Sequence, residues 1–170
     1  MRCYLLRHAD AVPRGTPGYR DDARRPLTEE GRRQARAAAE ALKTLKIPVD
    51  AIATSGLVRA VETAAPVARA FGLEQAVQTL SALRSEADPA DTSRALRELA
   101  GHEHVVLVGH EPHMSRWLAF LVSSAGSLRS DFKKGAMACV ELERVPPAEG
   151  GGVLRWFLTP KQLALMGGAK

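Results

Sequence analysis

The chain has 170 residues, enough to bury one sizeable hydrophobic core, and we expect a single domain over residues 1–170. Its 24 Lys and Arg against 19 Asp and Glu give a net charge of +5, which could attract nucleic acid, an acidic protein or a phosphorylated substrate. Ordinary apolar and charged fractions exclude a disordered or fibrous chain, and no apolar run is long enough for a membrane span or a signal peptide. We therefore expect a cytoplasmic protein that makes no membrane contact. Cys3 and Cys139 are too few for a disulfide framework or a metal cluster, and we interpret them as reduced core thiols.

The first elements along the chain are a strand, a long loop and a helix. The apolar run 2–6 predicts a strand, and the following segment 13–26, with three prolines and two glycines, predicts a surface loop. Thr28 is a suitable cap for a helix that begins with two glutamates. Apolar residues then recur at the spacing of one buried helix face: Ala35, Ala38, Ala39, Leu42 and Leu45.

The rest of the chain continues the alternation of strands and helices. The patterns predict strands at 49–54, 76–80 and 104–108, helices at 57–71, from Asp91 to about Ala100 and at 112–122, and two final antiparallel strands at 136–143 and 153–158. The continuous apolar run 104–108 is typical of a strand covered on both faces. This order predicts an α/β fold: a three-layer sandwich with a mostly parallel sheet flanked by helices.

Polar clusters follow three of the predicted parallel strands at the point where each strand ends. They are Arg7-His8, Thr54-Ser55 with Arg59 shortly after, and Gly109-His110. Because ligands of open α/β sheets bind outside the carboxyl ends of the strands, we expect these clusters to meet in one crevice.

Two histidines and several arginines in one crevice fit the handling of a phosphate dianion. The planar fork of arginine matches phosphoryl oxygens in pairs, and one neutral imidazole can attack phosphorus while the other stabilises the oxygens. Neighbouring Arg7 and Arg59 favour the neutral imidazole by repulsion. The histidine and cysteine spacings do not match a metal site, so we expect no metal and no cofactor.

At these residues the sequence resembles the histidine phosphatase superfamily, and within it the short bacterial phosphohistidine phosphatase (SixA-type) branch. Four blocks carry the resemblance, in the same order and at compatible spacing over nearly the whole chain. They are Leu5-Leu6-Arg7-His8-Ala9-Asp10; Arg25-Pro26-Leu27-Thr28 with Gly31 and Gln34; Ser55 with Arg59-Ala60 and Glu62-Thr63; and Val108-Gly109-His110-Glu111-Pro112.

The resemblance implies a phosphoglycerate-mutase-like fold and a role for each matching residue. His8 would accept the phosphoryl group, Arg7 and Arg59 would clamp phosphate, and His110 would be the second histidine. Arg25 matches a further phosphate-facing arginine of the short branch. Ser55 lies in no nucleophile turn, so we expect from it at most a hydrogen bond in the phosphate pocket.

A proton donor is harder to identify from the sequence. Larger members of the superfamily place a glutamate between the second arginine and the second histidine, where this chain has Glu86 and Asp88 as possible donors. The surrounding pattern singles out neither residue, and the short branch also lacks a clear acid. Because the leaving group of a phosphoramidate accepts a proton more readily than an alkoxide does, this pattern favours phosphohistidine over sugar phosphates.

Other polar and aromatic residues have plainer interpretations. We expect His102 and His104 to be solvated. Lys133-Lys134 either contacts a protein substrate or phosphate or lies in an ordinary solvated turn, and the sequence favours the turn. His113 either borders the pocket or is an exposed histidine at a helix start, and the sequence leaves both open. Trp117 and Phe120 have the spacing of a buried helix face.

The leading hypothesis is a phosphatase that releases inorganic phosphate from phosphohistidine on a protein through an intermediate on His8. A broad phosphatase of small esters or nucleotides remains the enzymatic alternative. Outside catalysis, the alternatives are a phosphate-binding regulator and a basic nucleic-acid-binding domain, which the scarcity of aromatic residues disfavours.

Overall fold

One six-stranded sheet runs through the computed structural model, which describes residues 1–124 and 127–168. In chain order the strands are β1 (Arg2–Arg7), β2 (Ala51–Thr54), β3 (Gln78–Thr79), β4 (His104–Gly109), β5 (Met137–Leu142) and β6 (Gly152–Leu158). Across the sheet their order is β3-β2-β4-β1-β5-β6. The first four strands are mutually parallel, whereas β5 pairs antiparallel with β1 and β6 pairs antiparallel with β5. The predicted mostly parallel sheet is confirmed, with β4 inside it.

Five α-helices lie in the described residues, at α1 (Glu29–Thr44), α2 (Val58–Phe71), α3 (Pro89–Ala95), α4 (His113–Val122) and α5 (Pro160–Met166). The side chain of Thr28 caps α1 and left-handed Gly72 ends α2, as predicted. The predicted cap at Asp91 is wrong, because Asp88 accepts the capping hydrogen bond and Pro89 opens α3. Helix α5 was not predicted, although Thr159, Pro160 and Gln162 form a capping box with proline in the first turn.

The sheet has a helical layer on each face because successive strand side chains point in opposite directions. Tyr4 and Leu6 of β1 pack with the apolar faces of α1, α2 and α5. Leu5 points the other way, toward α3 and α4, where the fully buried Trp117 lies as predicted. Phe120 is only partly buried against that cluster. The result is the three-layer sandwich, with loops gathered at the carboxyl ends of the parallel strands.

Two histidines lie in environments that differ from the predictions. His104 is half-buried rather than solvated, since its ring stacks on Tyr4 and its Nδ1 lies 2.8 Å from the Tyr4 hydroxyl. His113 is neither exposed nor in the pocket: it is fully buried, stacks on Trp117, and its Nε2 lies 2.9 Å from Thr92 Oγ1. Both rings therefore belong to the packing of the fold.

None of the helices described is long and apolar enough to cross a membrane.

Candidate active site

The three polar clusters meet where β1, β2 and β4 end side by side. The amide of His8 donates to Gly109 O at 2.9 Å and that of Ser55 donates to Val108 O at 3.2 Å, so the parallel ladder continues one residue past β1 and β2. The imidazole rings of His8 and His110 consequently lie 4.9 Å apart between centroids. The predicted convergence at one edge of the sheet is confirmed.

A cavity of about 400 Å³ opens at this edge. Five cationic side chains and two carboxylates are among its walls, so its electrostatics favour an anion. Its lining comprises Arg7, His8, Asp10, Ala11, Pro13, Arg14, Arg25, Thr28, Arg59, Ser85, His110, Glu111 and Lys134. A larger cavity of about 550 Å³ lies among residues 18–24 of the surface loop, but its walls contain no histidine.

The hydrogen bond of His8 determines which ring nitrogen can react. His8 Nδ1 lies 2.7 Å from the carbonyl oxygen of Ala9. Because a carbonyl only accepts hydrogen bonds, Nδ1 carries the proton, and in the neutral ring Nε2 keeps its lone pair. His8 therefore presents a nucleophilic Nε2 in a fixed ring orientation.

Ser55 lies behind His110 rather than in the cavity lining. Its fully buried hydroxyl is 2.6 Å from His110 Nε2 and also accepts the amide of Leu57 at 3.3 Å. A hydroxyl that accepts from Leu57 still has one proton to donate and one lone pair to accept with, so the direction of its bond to His110 Nε2 follows the tautomer of His110. His110 Nδ1 is buried and has no hydrogen-bond partner among the described residues. Ser55 thus acts on the second histidine, and the predicted pocket hydrogen bond from Ser55 is replaced by this contact.

Arg7 and Arg59 are held in the same way, each by a carbonyl oxygen at one terminal nitrogen. Arg7 Nη1 donates to Phe132 O at 2.7 Å, and Arg59 Nη1 donates to Asp22 O at 2.8 Å. The Nε atoms of both arginines are buried and lack a partner within the described part of the chain. Unpartnered buried donors are costly unless a ligand satisfies them, so this edge of each guanidinium is suited to a phosphoryl oxygen.

Burial keeps both histidines of the pair neutral. Desolvation lowers the pKa of His8 to about 3, and the positive charges of Arg59, Arg7 and Lys134 add to the effect. The pKa of His110 is also lowered to about 3, first by burial and then by repulsion from His8 and Arg59. A neutral His8 is the form that can attack phosphorus.

The remaining motif residues hold the loop that carries His8. The amide of Ala9 donates to Thr63 Oγ1 at 3.0 Å and that of Asp10 donates to Gln34 Oε1 at 3.0 Å. Gly31 approaches this loop so closely that a Cβ atom there would lie 1.9 Å from Asp10 O. These contacts explain why a glycine, a glutamine and a threonine accompany the histidine in the sequence pattern.

Lys134 lines the cavity, so its position fits the alternative of a contact with phosphate or substrate better than the favoured solvated turn. Its ammonium group lies 2.7 Å from Asp10 Oδ1 and it is part of the cavity lining. The turn that carries it is bound to the nucleophile segment, because the amide of Gly135 donates to both Arg7 O and His8 O. The sequence signal was available, since residues 133–135 directly precede the strand that pairs with β1.

The two candidate proton donors lie outside the described cavity lining. The exposed carboxylate of Glu86 accepts a hydrogen bond from Ser85 Oγ at 2.8 Å, and that of Asp88 caps α3 by accepting from Ala90 N at 2.8 Å. Glu111 does line the cavity, but its carboxylate accepts from both the amide and the hydroxyl of Ser115. The geometry therefore favours neither predicted donor. Arg25, by contrast, is buried and lines the cavity as predicted.

Two neutral imidazoles ringed by guanidinium groups, at the carboxyl edge of a mostly parallel sheet, define an α/β protein built to handle phosphate. A family model for the histidine phosphatase superfamily (branch 1) matches residues 3–88. The chain belongs to this superfamily, and its activity is that of a phosphatase.

Relatives agree with this assignment along nearly the whole chain. The phosphohistidine phosphatase SixA of Escherichia coli (strain K12) is 27% identical over 167 residues, which cover 97% of this chain and 98% of that protein. A structure of the protein histidine phosphatase SixA complexed with tungstate superposes with a TM-score of 0.82 at 27% identity and covers 96% of this chain and 99% of that chain. An α-ribazole phosphatase from Shigella flexneri, at 18% identity, shares the fold with a TM-score of 0.72 over 94% of this chain and 97% of its own.

The buried histidines predict a loss of stability in acid. The pKa values of His8 and His110 are lowered to about 3, and burial lowers that of His113 to about 4, against an ordinary 6.5. The unfolded chain therefore binds these protons first as the pH falls below 6.5, and each histidine costs about 2 kcal/mol of stability at about pH 5. Urea unfolding at about pH 7.5 and about pH 5 should show a clear drop in the free energy of unfolding.

Two variants identify the source of that drop. His113→Gln should reduce the difference in stability between the two pH values, whereas His102→Gln, a partly exposed histidine, should leave it unchanged. Equal stability of the unmodified protein at both pH values would show that these histidines are not buried in their uncharged form.

Ser55→Ala should lower kcat about tenfold to a hundredfold while the protein stays folded, because His110 loses the hydrogen bond that orients its ring. The matched control is Ser93→Ala, another buried serine, whose hydroxyl accepts from Trp117 Nε1 at 3.0 Å away from the site. Phosphatase kinetics and thermal melting measured together separate activity from folding. Full activity in Ser55→Ala would show that Ser55 does not position His110.

Proposed function

We propose that this chain is a phosphohistidine phosphatase that removes the phosphoryl group from a histidine side chain of another protein. The observation that carries the proposal is the pairing of a fixed, unprotonated His8 Nε2 with His110 in an anion-binding cavity. The two orphaned arginine Nε atoms supply two further donors for phosphoryl oxygens, and His110 supplies a third in the tautomer that carries its proton on Nδ1.

The reaction has two displacements at phosphorus. In the first, His8 Nε2 forms a bond to phosphorus while the bond from phosphorus to the substrate nitrogen breaks, and the leaving imidazole takes up a proton from solvent. In the second, water attacks phosphorus and the bond to Nε2 breaks. Both protons of the water leave with the product as H2PO4−, and His8 returns to its neutral form with the proton on Nδ1. Arg7, Arg59, His110 and Arg25 hold the equatorial oxygens throughout.

The choice of a phosphoramidate rests on the carboxylates around the cavity. Asp10 pairs with Lys134, and although partial burial opposes the shift, the hydrogen bonds from Lys134 and Thr28 lower its pKa, so it is a poor proton donor. An alcohol leaving group needs such a donor far more than an imidazole does. The name of the Escherichia coli relative, a phosphohistidine phosphatase, agrees with this choice.

We further propose that the chemistry needs no metal ion. The cavity supplies positive charge through guanidinium and ammonium groups, which perform the electrostatic role that a metal would otherwise fill. Within the described residues, no group of three or more His, Cys, Asp or Glu side chains is placed to hold a metal ion.

The covalent intermediate predicts a specific label. Incubation with a radiolabelled phosphodonor such as phosphoramidate should give a protein-bound label that is labile in acid and stable in base, with or without a strong chelator. His8→Ala should take up no label, whereas His102→Ala should label normally, because His102 lies outside the cavity lining described above. Labelling of His8→Ala would place the intermediate elsewhere, and loss of label with the chelator would contradict metal independence.

The substrate class predicts a ranking of rates. A phosphohistidine-carrying protein should be hydrolysed with a kcat/KM at least about a hundredfold above that for sugar phosphates, because only the former has a readily protonated leaving atom. Aryl phosphates, whose leaving groups also need little acid assistance, should fall between the two. Steady-state assays on the three substrate types measure this order. A preference for small esters or nucleotides would instead establish a broad-specificity phosphatase.

A further inference from the structure

One carboxylate in the loop after β1 accepts hydrogen bonds from three arginines of the phosphate cavity. Asp22 Oδ1 accepts from Arg25 Nε at 2.8 Å and from Arg14 Nε at 2.9 Å, and Oδ2 accepts from Arg59 Nη2 at 3.2 Å. The backbone carbonyl of Asp22 accepts from Arg59 Nη1 at 2.8 Å as well. All three arginines line the cavity that contains His8.

Two of these arginines are buried and would repel each other without a counter-charge. The side chains of Arg59 and Arg25 are only 5% and 10% exposed. Burial lowers the pKa of Arg59, repulsion from Arg25 adds to this, and Asp22 opposes both. Buried charges of like sign stay together only when an opposite charge is fixed beside them. Asp22 is that charge, and at 40% side-chain exposure it reaches the arginines from the loop.

We infer that Asp22 is a positioning residue that assembles the guanidinium clamp before phosphate arrives. The inference rests on the proposed function. Because Asp22 already brings Arg25 and Arg59 together in the folded protein, an incoming phosphate meets an ordered clamp and loses less binding free energy to ordering. Arg59 Nε remains without a partner among the described residues, so the contact with Asp22 leaves that edge available.

Two roles of Asp22, as a simple counter-ion or as a positioning residue, predict opposite changes in anion binding when its charge is removed. A simple counter-ion weakens the binding of every nearby anion, so its neutralisation would tighten phosphate binding. A positioning residue keeps the clamp in order, so its loss would weaken binding despite the gain in positive charge. The sign of the change in affinity therefore separates the two roles.

The decisive measurement is tungstate binding by isothermal titration calorimetry to the unmodified protein, Asp22→Asn and Asp21→Asn. Asp21 is the matched control: its neutralisation changes the net charge equally, but its carboxylate caps the same turn by accepting from Ala23 N at 2.9 Å. Asp22→Asn should bind tungstate about tenfold more weakly, and Asp21→Asn within about twofold of the unmodified protein. The kinetics should show a raised KM for phosphohistidine protein in Asp22→Asn alone.

The outcomes distinguish this inference from the proposed function. Failure of the unmodified protein to bind tungstate would count against the phosphate site itself. Normal binding there, with equal or tighter binding by Asp22→Asn, would overturn the positioning role alone. If thermal melting shows that Asp22→Asn is poorly folded, Asp22→Glu replaces it, since the retained carboxylate should preserve the fold. Asp22→Glu should bind more weakly than the unmodified protein because the longer side chain displaces the arginines, and unchanged binding would again overturn the role.

Discussion

The parallel register of β1, β4 and β2 is the constraint on which the site depends. Arg7 lies opposite Gly109, and Thr54 lies opposite Val108, so the chain leaves all three strands at one level. Because strand side chains alternate between faces, a slip of one residue would turn the side chains of any of these strands to the wrong face. The residues that follow these strands, such as Ser55 and His110 with 55 positions between them in sequence, thereby become neighbours. Short loops beyond the strands are then enough to enclose a phosphoryl group.

The second constraint is electrostatic, since the same few residues must supply strong positive charge and keep an imidazole unprotonated. Burial and nearby guanidinium groups both disfavour a charged imidazole, so the arginines that suit phosphate also keep His8 neutral. That arrangement would be unstable without carboxylates placed around its margin. Asp22 provides one against the arginines, and Asp10 provides another against Lys134.

Sequence patterns predicted the parts of this site that lie directly after strands. His8 and His110 follow β1 and β4, and the apolar runs before them are clear enough to locate those strand ends. The contacts of Asp22 with Arg59 and of Lys134 with Asp10 were not predicted, because these partners are 37 and 124 residues apart in sequence. Such contacts depend on the path of a loop, which periodicity does not describe.

For some residues the sequence held a local signal, but the structure follows a different signal or a tertiary contact. Pro89 after Asp88 is the usual start of a helix, yet Asp91 was predicted as the cap because the apolar pattern begins later. His113 resembles a polar helix start in sequence, but Trp117 one turn further on stacks against it and buries it. Ser55 was recognised as part of the site, whereas its direction, toward His110 rather than phosphate, follows only from side-chain geometry.

The carboxylates near the cavity connect the structure to the choice of leaving group. In the described residues each is already engaged: Asp10 by Lys134 and Thr28, Glu111 by Ser115, and Asp22 by three arginines. Although partial burial opposes the shift, the hydrogen bonds and cations around Asp10 and Asp22 lower the pKa of both carboxyl groups, which makes them weak acid catalysts. Under the proposed function, a site that offers little acid assistance would discriminate between substrates by the leaving atom. An imidazole nitrogen, which can accept a proton itself, would then depart far more readily than a sugar alkoxide.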